Sequence, residues 1–361
     1  MGAGDLTAGD AATGTAVGAA AGSASMGDAA PPAVLAQGLT KRYGGRAVVC
    51  GVDLAVAPGH MFGLLGPDGA GKTTTLRCLG GVLGFDAGRV AICGRDVRLH
   101  ADAVKLAVGY LGQRAAIYED LTTLENMAFF ADMYGVPRRE QGARIGELLG
   151  LVRLTAHARR LAGTLSGGMR QKLGIACGLL HRPAVLLLDE PTTGIDPVSR
   201  RELWLLLGRL RAGGTAVVVA TAYIDEADAC DEVAFMVGGR IIERGSPGEL
   251  RVRAGRSVIQ VRVAPDRALA ARRVVEALDA VEAAVVLGDR VRATVRPAAN
   301  AALEAQARGI EAALVAAGVA VREARPAPVT LEDILTWHLT AMSRGSQAGD
   351  AGGGGANGGG G

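Results

Sequence analysis

The sequence predicts an α/β fold that carries a second, smaller α+β unit near its C-terminus. Between about residues 33 and 250, short apolar runs alternate with helical patterns, which is typical of a largely parallel sheet covered by helices. A glycine-rich segment at residues 66–74 follows one of these runs and precedes a helical pattern, as phosphate-binding loops do. After Pro247 the predicted order changes to strand, helix, strand, strand, helix, strand.

Six apolar runs with turn residues around them are predicted as strands of the first unit. They cover residues 47–56, 61–65, 89–93, 184–188, 216–220 and 232–237. Helical spacing dominates from about residue 115 to residue 180, so we expect a helical subdomain inserted into the α/β unit. Thr122 or Thr123, with Glu125 nearby, is a candidate cap at the entrance of its first helix.

The last third of the sequence predicts a small domain over residues 256–343. Its strands are expected at residues 257–263, 281–287, 290–295 and 319–324, its helices at 267–278 and 301–317, and a closing helix at 331–342. The βαββαβ order is typical of a ferredoxin-like domain, with an irregular α+β appendage as the alternative. Residues 1–32 and 344–361 are rich in alanine and glycine and are predicted to be disordered tails.

The phosphate-loop motif is the clearest chemical signal in the sequence. It fits G-x-x-x-x-G-K-[ST] and consists of Gly66, Pro67, Asp68, Gly69, Ala70, Gly71, Lys72, Thr73 and Thr74. Its glycines allow the backbone to approach phosphate, Lys72 can bind the β- and γ-phosphates, and the Thr73 hydroxyl can bind Mg²⁺. The alternative is a glycine-rich turn without a ligand. ATP and Mg²⁺ are therefore the expected cofactors.

Two adjacent acids follow the apolar run at residues 184–188. We expect Asp189 to bind the metal through water and Glu190 to act as the catalytic residue that polarises the attacking water. The alternative is a solvated charge pair, but the preceding run is typical of a buried strand.

Composition excludes several other classes of protein. The formal net charge is +3 and no basic run is interleaved with aromatic residues, so nucleic acid is not an expected partner. The five cysteines form no CxxC pair or metal-ligand spacing, which favours a reducing, cytoplasmic location. No stretch approaches the roughly 18 apolar residues needed to span a bilayer, so a membrane role would need a partner.

These motifs, together with Leu165-Ser166-Gly167-Gly168-Met169, resemble the ATP-binding subunit of an ABC transporter over about residues 39–248. The resemblance is to the multidrug-exporter type with a C-terminal extension. It implies that four signature residues contact the γ-phosphate of ATP on the opposite subunit: Ser166, Gly167, Gly168 and Gln171. Ser166 also fits a simple helix cap, which is compatible with that role.

The same resemblance assigns roles to three further residues. Gln113 corresponds to a glutamine that touches the metal and relays to a membrane subunit, and Asp196 lies in a loop that couples two ATP sites. Tyr43 resembles the aromatic residue that stacks on adenine, although a lone tyrosine more often serves packing.

The sequence departs from the family pattern at two positions. Ala222 lies where family members usually have a histidine that bridges the γ-phosphate and the water, and a methyl group donates no hydrogen bond. Removing one such donor typically costs on the order of 100-fold in rate. Asp68 replaces a more usual asparagine, so its acid must point away from phosphate or lie against a positive charge. We therefore expect slow or partner-dependent hydrolysis.

Three functions follow from the sequence and this resemblance. The first is an ATPase, working as a homodimer or heterodimer of ATP-binding subunits, that drives a separate membrane permease exporting a drug-like or lipid-like hydrophobic compound. It would lie in the cytoplasm, peripheral on the inner face of the cell membrane, and contact the permease through its helical subdomain, with residues 118–122 a candidate segment. The second is a weakly hydrolytic, nucleotide-gated regulatory or assembly module. The third is a soluble translation or ribosome factor of the same superfamily, which ordinarily needs two such ATP-binding domains in one chain.

Overall fold

The computed structural model describes residues 31–350, with side chains as far as Thr340. Most of the two predicted tails, residues 1–30 and 351–361, lies outside the described residues. The described strands, in chain order, are β1 (Val34–Tyr43), β2 (Arg46–Val56), β3 (Met61–Leu65), β4 (Ala87–Ile92), β5 (Arg95–Asp96), β6 (Val108–Leu111), β7 (Val185–Asp189), β8 (Ala216–Thr221), β9 (Glu232–Val237), β10 (Arg240–Gly245), β11 (Ser257–Val263), β12 (Val281–Leu287), β13 (Arg290–Val295) and β14 (Val321–Ala327).

Helices connect or flank these strands. In chain order they are α1 (Lys72–Leu79), α2 (Ala101–Ala107), α3 (Thr123–Met133), α4 (Arg138–Leu151), α5 (Gly167–Gly178), α6 (Pro197–Ala212), α7 (Pro247–Arg253), α8 (Ala268–Glu276), α9 (Asn300–Ala316) and α10 (Leu331–Asp350). No helix in the described part of the chain is both long enough and apolar enough to cross a membrane.

A six-stranded sheet in the order β10-β9-β3-β8-β7-β6 forms the centre of the molecule. Its strands β9, β3, β8, β7 and β6 are parallel, and β10 runs antiparallel to β9. Every residue of β3, β7 and β8 is buried, as expected for strands covered on both faces. The predicted α/β fold is confirmed, and the carboxyl ends of the parallel strands lie along one edge.

A second sheet, in the order β2-β1-β4-β5, is antiparallel. The predicted placement of two strands was therefore wrong. The strands expected at residues 47–56 and 89–93 belong to this sheet rather than to the parallel one. Gly44 and Gly45 have φ angles of 53° and 82°, which allow a two-residue turn that pairs Tyr43 with Arg46. Such a hairpin can only join antiparallel neighbours.

Four described strands of the first unit were absent from the sequence prediction, namely β1, β5, β6 and β10. β6 has only four residues and includes a glycine, so its apolar pattern is short. β1 has register shifts on both of its edges, which break the alternation that identifies a strand from sequence.

The helical segment contains α3, α4 and α5, which pack against one another around buried Met127 and Leu148. α3 begins with a reciprocal cap, because the Thr122 hydroxyl accepts a hydrogen bond from the Glu125 N–H and the Glu125 carboxylate accepts one from the Thr122 N–H. The predicted cap at the entrance of this helix is therefore present, at Thr122 rather than Thr123.

The C-terminal sheet has the order β12-β13-β11-β14, and all its neighbours are antiparallel. Alternation along β11 divides its side chains between two faces. Ile259, Val261 and Val263 belong to the core that includes α8 and α9, whereas Val258 belongs to the core that includes α10. The sheet therefore lies between two helical layers.

An ion pair fixes α10 on its face of this sheet. Asp333 of α10 accepts two hydrogen bonds from Arg292 of β13, at 2.8 and 2.7 Å, and both side chains are less than a tenth exposed. Arg292 also donates to the Gln260 side chain and to the Pro328 carbonyl, and the Trp337 indole donates to the Thr294 hydroxyl. These bonds satisfy the polar groups that the interface buries.

α10 also contacts α7 and the 3₁₀-helical turn at Ile224–Ala229 of the first unit. Leu331, Ile334 and Leu335 share an apolar core there with Leu250 and Ala227. α10 runs to Asp350, so residues 344–350 continue the helix that was predicted to end at residue 342, and β14 begins at residue 321 rather than 319.

Removing Asp333 tests the importance of this ion pair. Asp333→Ala should lower the free energy of unfolding by about 3–5 kcal/mol, because it leaves Arg292 buried without its partner. Chemical denaturation of the full chain measures this loss. Glu323→Ala, which removes an exposed partner of Arg325, is the control and should cost less than about 1 kcal/mol. Equal stabilities of the two variants would contradict this account of how α10 is fixed.

Candidate nucleotide site

The phosphate loop connects β3 to α1 and packs tightly against neighbouring backbone. A Cβ atom added at Gly66 would lie 2.1 Å from the Met236 carbonyl oxygen. At Gly71, where φ is 105°, an added Cβ would lie 2.6 Å from the carbonyl oxygen of Val48. Glycine is therefore required at both positions, and the loop has a fixed shape before any ligand binds.

Lys72 is the first residue of α1, and its ammonium group is buried beside the loop. Its Nζ donates to the carbonyl oxygens of Gly66, at 2.7 Å, and Pro67, at 3.1 Å. The same Nζ lies 3.8 Å from Oε1 of Glu190. A positive charge thus lies between the phosphate loop and the end of β7.

The loop, Lys72 and Glu190 line one cavity of about 260 Å³. Its full lining is Val48, Asp68, Gly69, Ala70, Gly71, Lys72, Thr73, Thr74, Gln113 and Glu190. Three strand ends of the parallel sheet contribute to it, namely those of β3, β6 and β7. Open α/β sheets typically bind ligands at this edge.

Asp189 ends β7 and provides oxygen atoms beside the loop. Its Oδ1 accepts a hydrogen bond from the Thr73 hydroxyl at 3.0 Å, while its Oδ2 is buried and has no partner among the described residues. Burial raises the pKa of this carboxyl, and the bond from Thr73 opposes that shift. Mg²⁺ prefers hard oxygen ligands, so an unpartnered carboxylate oxygen next to a hydroxyl fits this ion.

Glu190 has an unusual backbone conformation, with φ at 49°. The left-handed region costs a residue with a side chain about 1–3 kcal/mol, and such strain often occurs at functional sites. The Glu190 N–H donates to the Ala220 carbonyl at 2.8 Å. Its carboxylate accepts hydrogen bonds from Gln113 at 3.1 Å and from Thr193 at 3.3 Å. Adjacent Asp189 and Glu190 therefore face different partners.

Gln113 contacts Glu190 in this structure, and its predicted contact with a metal stays a prediction. Asp68 is exposed at the rim of the cavity. Ala222 is exposed just beyond the end of β8, the strand next to β7.

The other predicted ATP contacts are not among the residues that line the cavity. Tyr43 ends β1 with about half of its side chain exposed, and its ring lies 5.5 Å from the Lys41 ammonium. Ser166 caps α5 by accepting a hydrogen bond from the Met169 N–H. The stacking role of Tyr43 stays a prediction, whereas the helix cap at Ser166 is confirmed.

The signature segment and the segment around Asp196 adjoin each other. A Cβ added at Gly168 would meet the Ser199 side chain at 2.5 Å, and Gly167 lies beside the Gly194 carbonyl. Asp196 caps α6 by accepting a hydrogen bond from the Ser199 N–H at 2.9 Å. Gln171 is buried, and its Nε2 has no hydrogen-bond partner in the part of the chain that the structure describes. The roles implied for these residues require a second subunit.

Sequence reasoning missed two contributors to the site. Thr193 binds the Glu190 carboxylate, and Val48 lines the cavity from β2. Thr193 follows Glu190 by three residues in the sequence. A hydroxyl at this short distance could have been predicted to contact the Glu190 carboxylate. Val48 carries no such signal, because only the pairing of distant strands brings it to the loop.

Comparison with known proteins identifies the family. The family described as ABC transporter matches residues 49–193. The daunorubicin resistance ATP-binding protein DrrA3 of Streptomyces coeruleorubidus is 42% identical over 233 residues, which make up 64% of this chain and 74% of that protein. The chain belongs to the ATP-binding cassette family. Binding and hydrolysis of ATP are general to this family.

This cassette protein is also similar to a second relative and to a solved structure. The probable multidrug ABC transporter ATP-binding protein YbhF of Escherichia coli is 42% identical over 225 residues, or 62% of this chain, and the match spans only 39% of YbhF. A dimeric structure of the ATP-binding cassette MJ0796 bound to ADP and phosphate has 26% identity and a TM-score of 0.54, and the match covers 59% of this chain and 98% of MJ0796. The resemblance drawn from the motifs is confirmed.

Restoring the family's histidine should accelerate hydrolysis. Ala222 is exposed, so Ala222→His introduces an imidazole donor with room to adopt its rotamers, and we expect turnover to rise by about 10-fold or more. Steady-state release of phosphate from Mg-ATP measures the change. Ala222→Leu is the control, since it adds bulk without a donor. Brisk turnover of the unmodified chain that Ala222→His leaves unchanged would contradict a limiting role of this position.

Proposed function

We propose that this chain binds and hydrolyses ATP to power a separate membrane permease that exports a drug-like or lipid-like hydrophobic compound. The observation that carries the proposal is the convergence of Lys72, Asp189 and Glu190 at one end of the parallel sheet. Relatives described as daunorubicin resistance and multidrug ATP-binding proteins support the class of cargo.

We infer the following roles for the residues of the site. The phosphate loop and Lys72 bind the β- and γ-phosphates of ATP. Glu190 accepts a proton from the water that attacks the γ-phosphorus, and ADP leaves with the bridging oxygen. Thr73, Asp189 and Gln113 would hold Mg²⁺, which neutralises phosphate charge when it is bound. Gln113 donates a hydrogen bond to Glu190 in the described structure. A change in the protonation or position of Glu190 could therefore move Gln113 and the helical segment that follows it.

We further propose that two such subunits, identical or different, close on two ATP molecules. Ser166 caps α5, Gly168 adjoins Ser199 near the start of α6, and none of the signature residues lines the cavity at the phosphate loop of the same chain. Such a separate surface supports contact with ATP on the opposite subunit. Gln171 is buried in the single subunit, so its contact with ATP would require its side chain to become accessible when the subunits close. The dimeric state reported for MJ0796 is consistent with this arrangement.

The permease is proposed to dock on the helical segment, near residues 118–122. The chain has only five tyrosines and five phenylalanines, and two of each lie at Tyr118, Phe129, Phe130 and Tyr134. Tyr118 and Phe129 are about half exposed and pack edge to face, with ring centres 4.8 Å apart. Exposed aromatic side chains of this kind are typical anchors of protein interfaces.

The cellular location and the division into domains are proposals of the same kind. A subunit that works through a permease would be cytoplasmic and peripheral on the inner face of the cell membrane. We assign residues 33–250 to the ATP-binding domain, with its helical subdomain at about 115–180, and residues 256–343 to a ferredoxin-like domain. The support for the ferredoxin-like assignment is the βαββαβ order and the strand order β12-β13-β11-β14.

The regulatory and ribosomal alternatives receive no support from the relatives compared above, which are described as transporter or drug-resistance proteins. Ala222 therefore is best explained as a feature that slows hydrolysis within a transport ATPase.

Turnover of Mg-ATP by the purified chain tests the catalytic role of Glu190. Glu190→Gln keeps the size of the side chain but removes the base, so turnover should fall about 100-fold or more while ATP still binds. A coupled phosphate assay and equilibrium binding of a fluorescent ATP analogue measure the two quantities. Glu140→Gln, on the exposed face of α4, is the control. Turnover that persists in Glu190→Gln would show that the activity comes from elsewhere.

A charged substitution at Phe129 tests the proposed docking surface for the permease. Phe129→Asp places a carboxylate on the proposed contact. We expect a membrane protein with several spans to co-purify with the wild-type chain in mild detergent, and Phe129→Asp should abolish this co-purification. The variant should keep the ATP turnover of the free chain. Mass spectrometry of the co-purified protein and a phosphate assay measure these outcomes. Val252→Asp, at a position 85% exposed on α7, is the matched control. Loss of the membrane protein in both variants, or in neither, would contradict docking at Phe129.

A further inference from the structure

Glu226 is a buried carboxylate that lies outside the nucleotide cavity. It belongs to the turn at Ile224–Ala229, which follows β8, and it is only 4% exposed. Its Oε2 accepts a hydrogen bond from the Thr221 hydroxyl at 3.0 Å, and its Oε1 lies 3.6 Å from Nε of Arg200 on α6. Burying a carboxylate costs several kcal/mol unless charges and donors surround it, so this placement requires an explanation.

The contacts of Glu226 fix both neighbours of Ala222. The Thr221 hydroxyl that donates to Glu226 also accepts a hydrogen bond from the Tyr223 N–H at 3.0 Å. The guanidinium carbon of Arg200 lies 4.6 Å from the centre of the Tyr223 ring. The turn that presents position 222 is therefore attached to α6 through one carboxylate and one arginine.

The segment that contains Glu190 adjoins the same turn, because the Glu190 N–H donates to the carbonyl of Ala220, directly before Thr221, at 2.8 Å. Burial raises the pKa of the Glu226 carboxyl, while the nearby Thr192 hydroxyl and Trp204 indole oppose that shift. Both of these groups are buried, and within the described residues neither makes a hydrogen bond of normal length. Thr192 is followed directly by Thr193, whose hydroxyl donates to Glu190. Glu226 thus lies between the turn at Ala222 and the segment that supports the catalytic acid.

We propose that Glu226 is a positioning residue for ATP hydrolysis, which holds the turn at Ala222 and the segment at residues 190–193 at a fixed separation. Ala222 offers no imidazole to orient the attacking water, so that orientation depends on Glu190 and on the backbone around it. Glu226 supplies the connection between these two segments and α6. This inference rests on the catalytic role proposed for Glu190.

Replacing Glu226 by glutamine tests the proposal in the full chain. Glu226→Gln keeps the shape but turns one acceptor into a donor, which then faces the donors Arg200, Thr192 and Trp204. We expect kcat for Mg-ATP to fall on the order of 10-fold, KM to change less than about twofold, and the melting temperature to fall by only a few degrees. Thr221→Ser, which keeps the hydroxyl, should retain more turnover than Thr221→Val. Glu232→Gln is the matched control, because Glu232 pairs with Arg244 at the opposite end of the strands.

Amide hydrogen exchange gives a second measurement that does not depend on turnover. In the nucleotide-free chain, Glu226→Gln should speed exchange of residues 221–223 and of residues 190–193 together, and Thr192→Val should affect residues 190–193. Faster exchange confined to residues 221–223, or a kcat within twofold of the wild type, would overturn the proposal. If both segments respond together and kcat falls in Glu226→Gln, but Glu190→Gln leaves turnover unchanged, the positioning role stands and the catalytic role proposed for Glu190 fails.

Discussion

The alignment of the parallel strands is the constraint on which the nucleotide site depends. Backbone pairing places Leu111 beside Leu188, Asp189 beside Ala220, and Leu65 beside Thr221. The residues that follow these strand ends therefore emerge side by side, although they are far apart in the sequence. A shift of one residue in any of these registers would turn the following side chains toward the opposite face of the sheet. The burial of β3, β7 and β8 on both faces makes such a shift expensive.

The phosphate loop and the acids were predictable from sequence because their signals are local. Lys72 and Thr73 stand at fixed spacings from the glycines, and Asp189 directly follows an apolar strand. The backbone conformation of Glu190 was not predictable, since left-handed φ angles are rare outside glycine. The antiparallel sheet was also missed, because the hairpin at Gly44 and Gly45 decides the pairing of β1 and β2. Glu226 was missed for a similar reason. In the sequence it is one acid among several, and only the packing of α6 buries it.

The contacts around Glu190 and Ala222 bear on how the proposed hydrolysis could proceed without a histidine at position 222. Glu190, the proposed base, accepts hydrogen bonds from Gln113 and Thr193, and the turn at position 222 is supported by Thr221 and Tyr223. Preorganised groups lower a barrier because they need no rearrangement as charge develops. On the proposed mechanism, the missing donor at Ala222 lowers the rate, while the phosphate loop would bind the triphosphate independently of it.

The C-terminal sheet has helices on both of its faces, and this leaves its two outer strands as the places where another backbone could join it. β14 is protected, because it contains Pro326 and alternates with charged side chains such as Arg322 and Arg325. β12 is protected less well, since it reads VEAAVVL and carries a single charge. Detachment of α10 would not expose β12 further, because that edge is already outermost in the described sheet. The asymmetry makes β12, rather than β14, the edge of this sheet that is more vulnerable to strand addition, and hence to aggregation at high concentration.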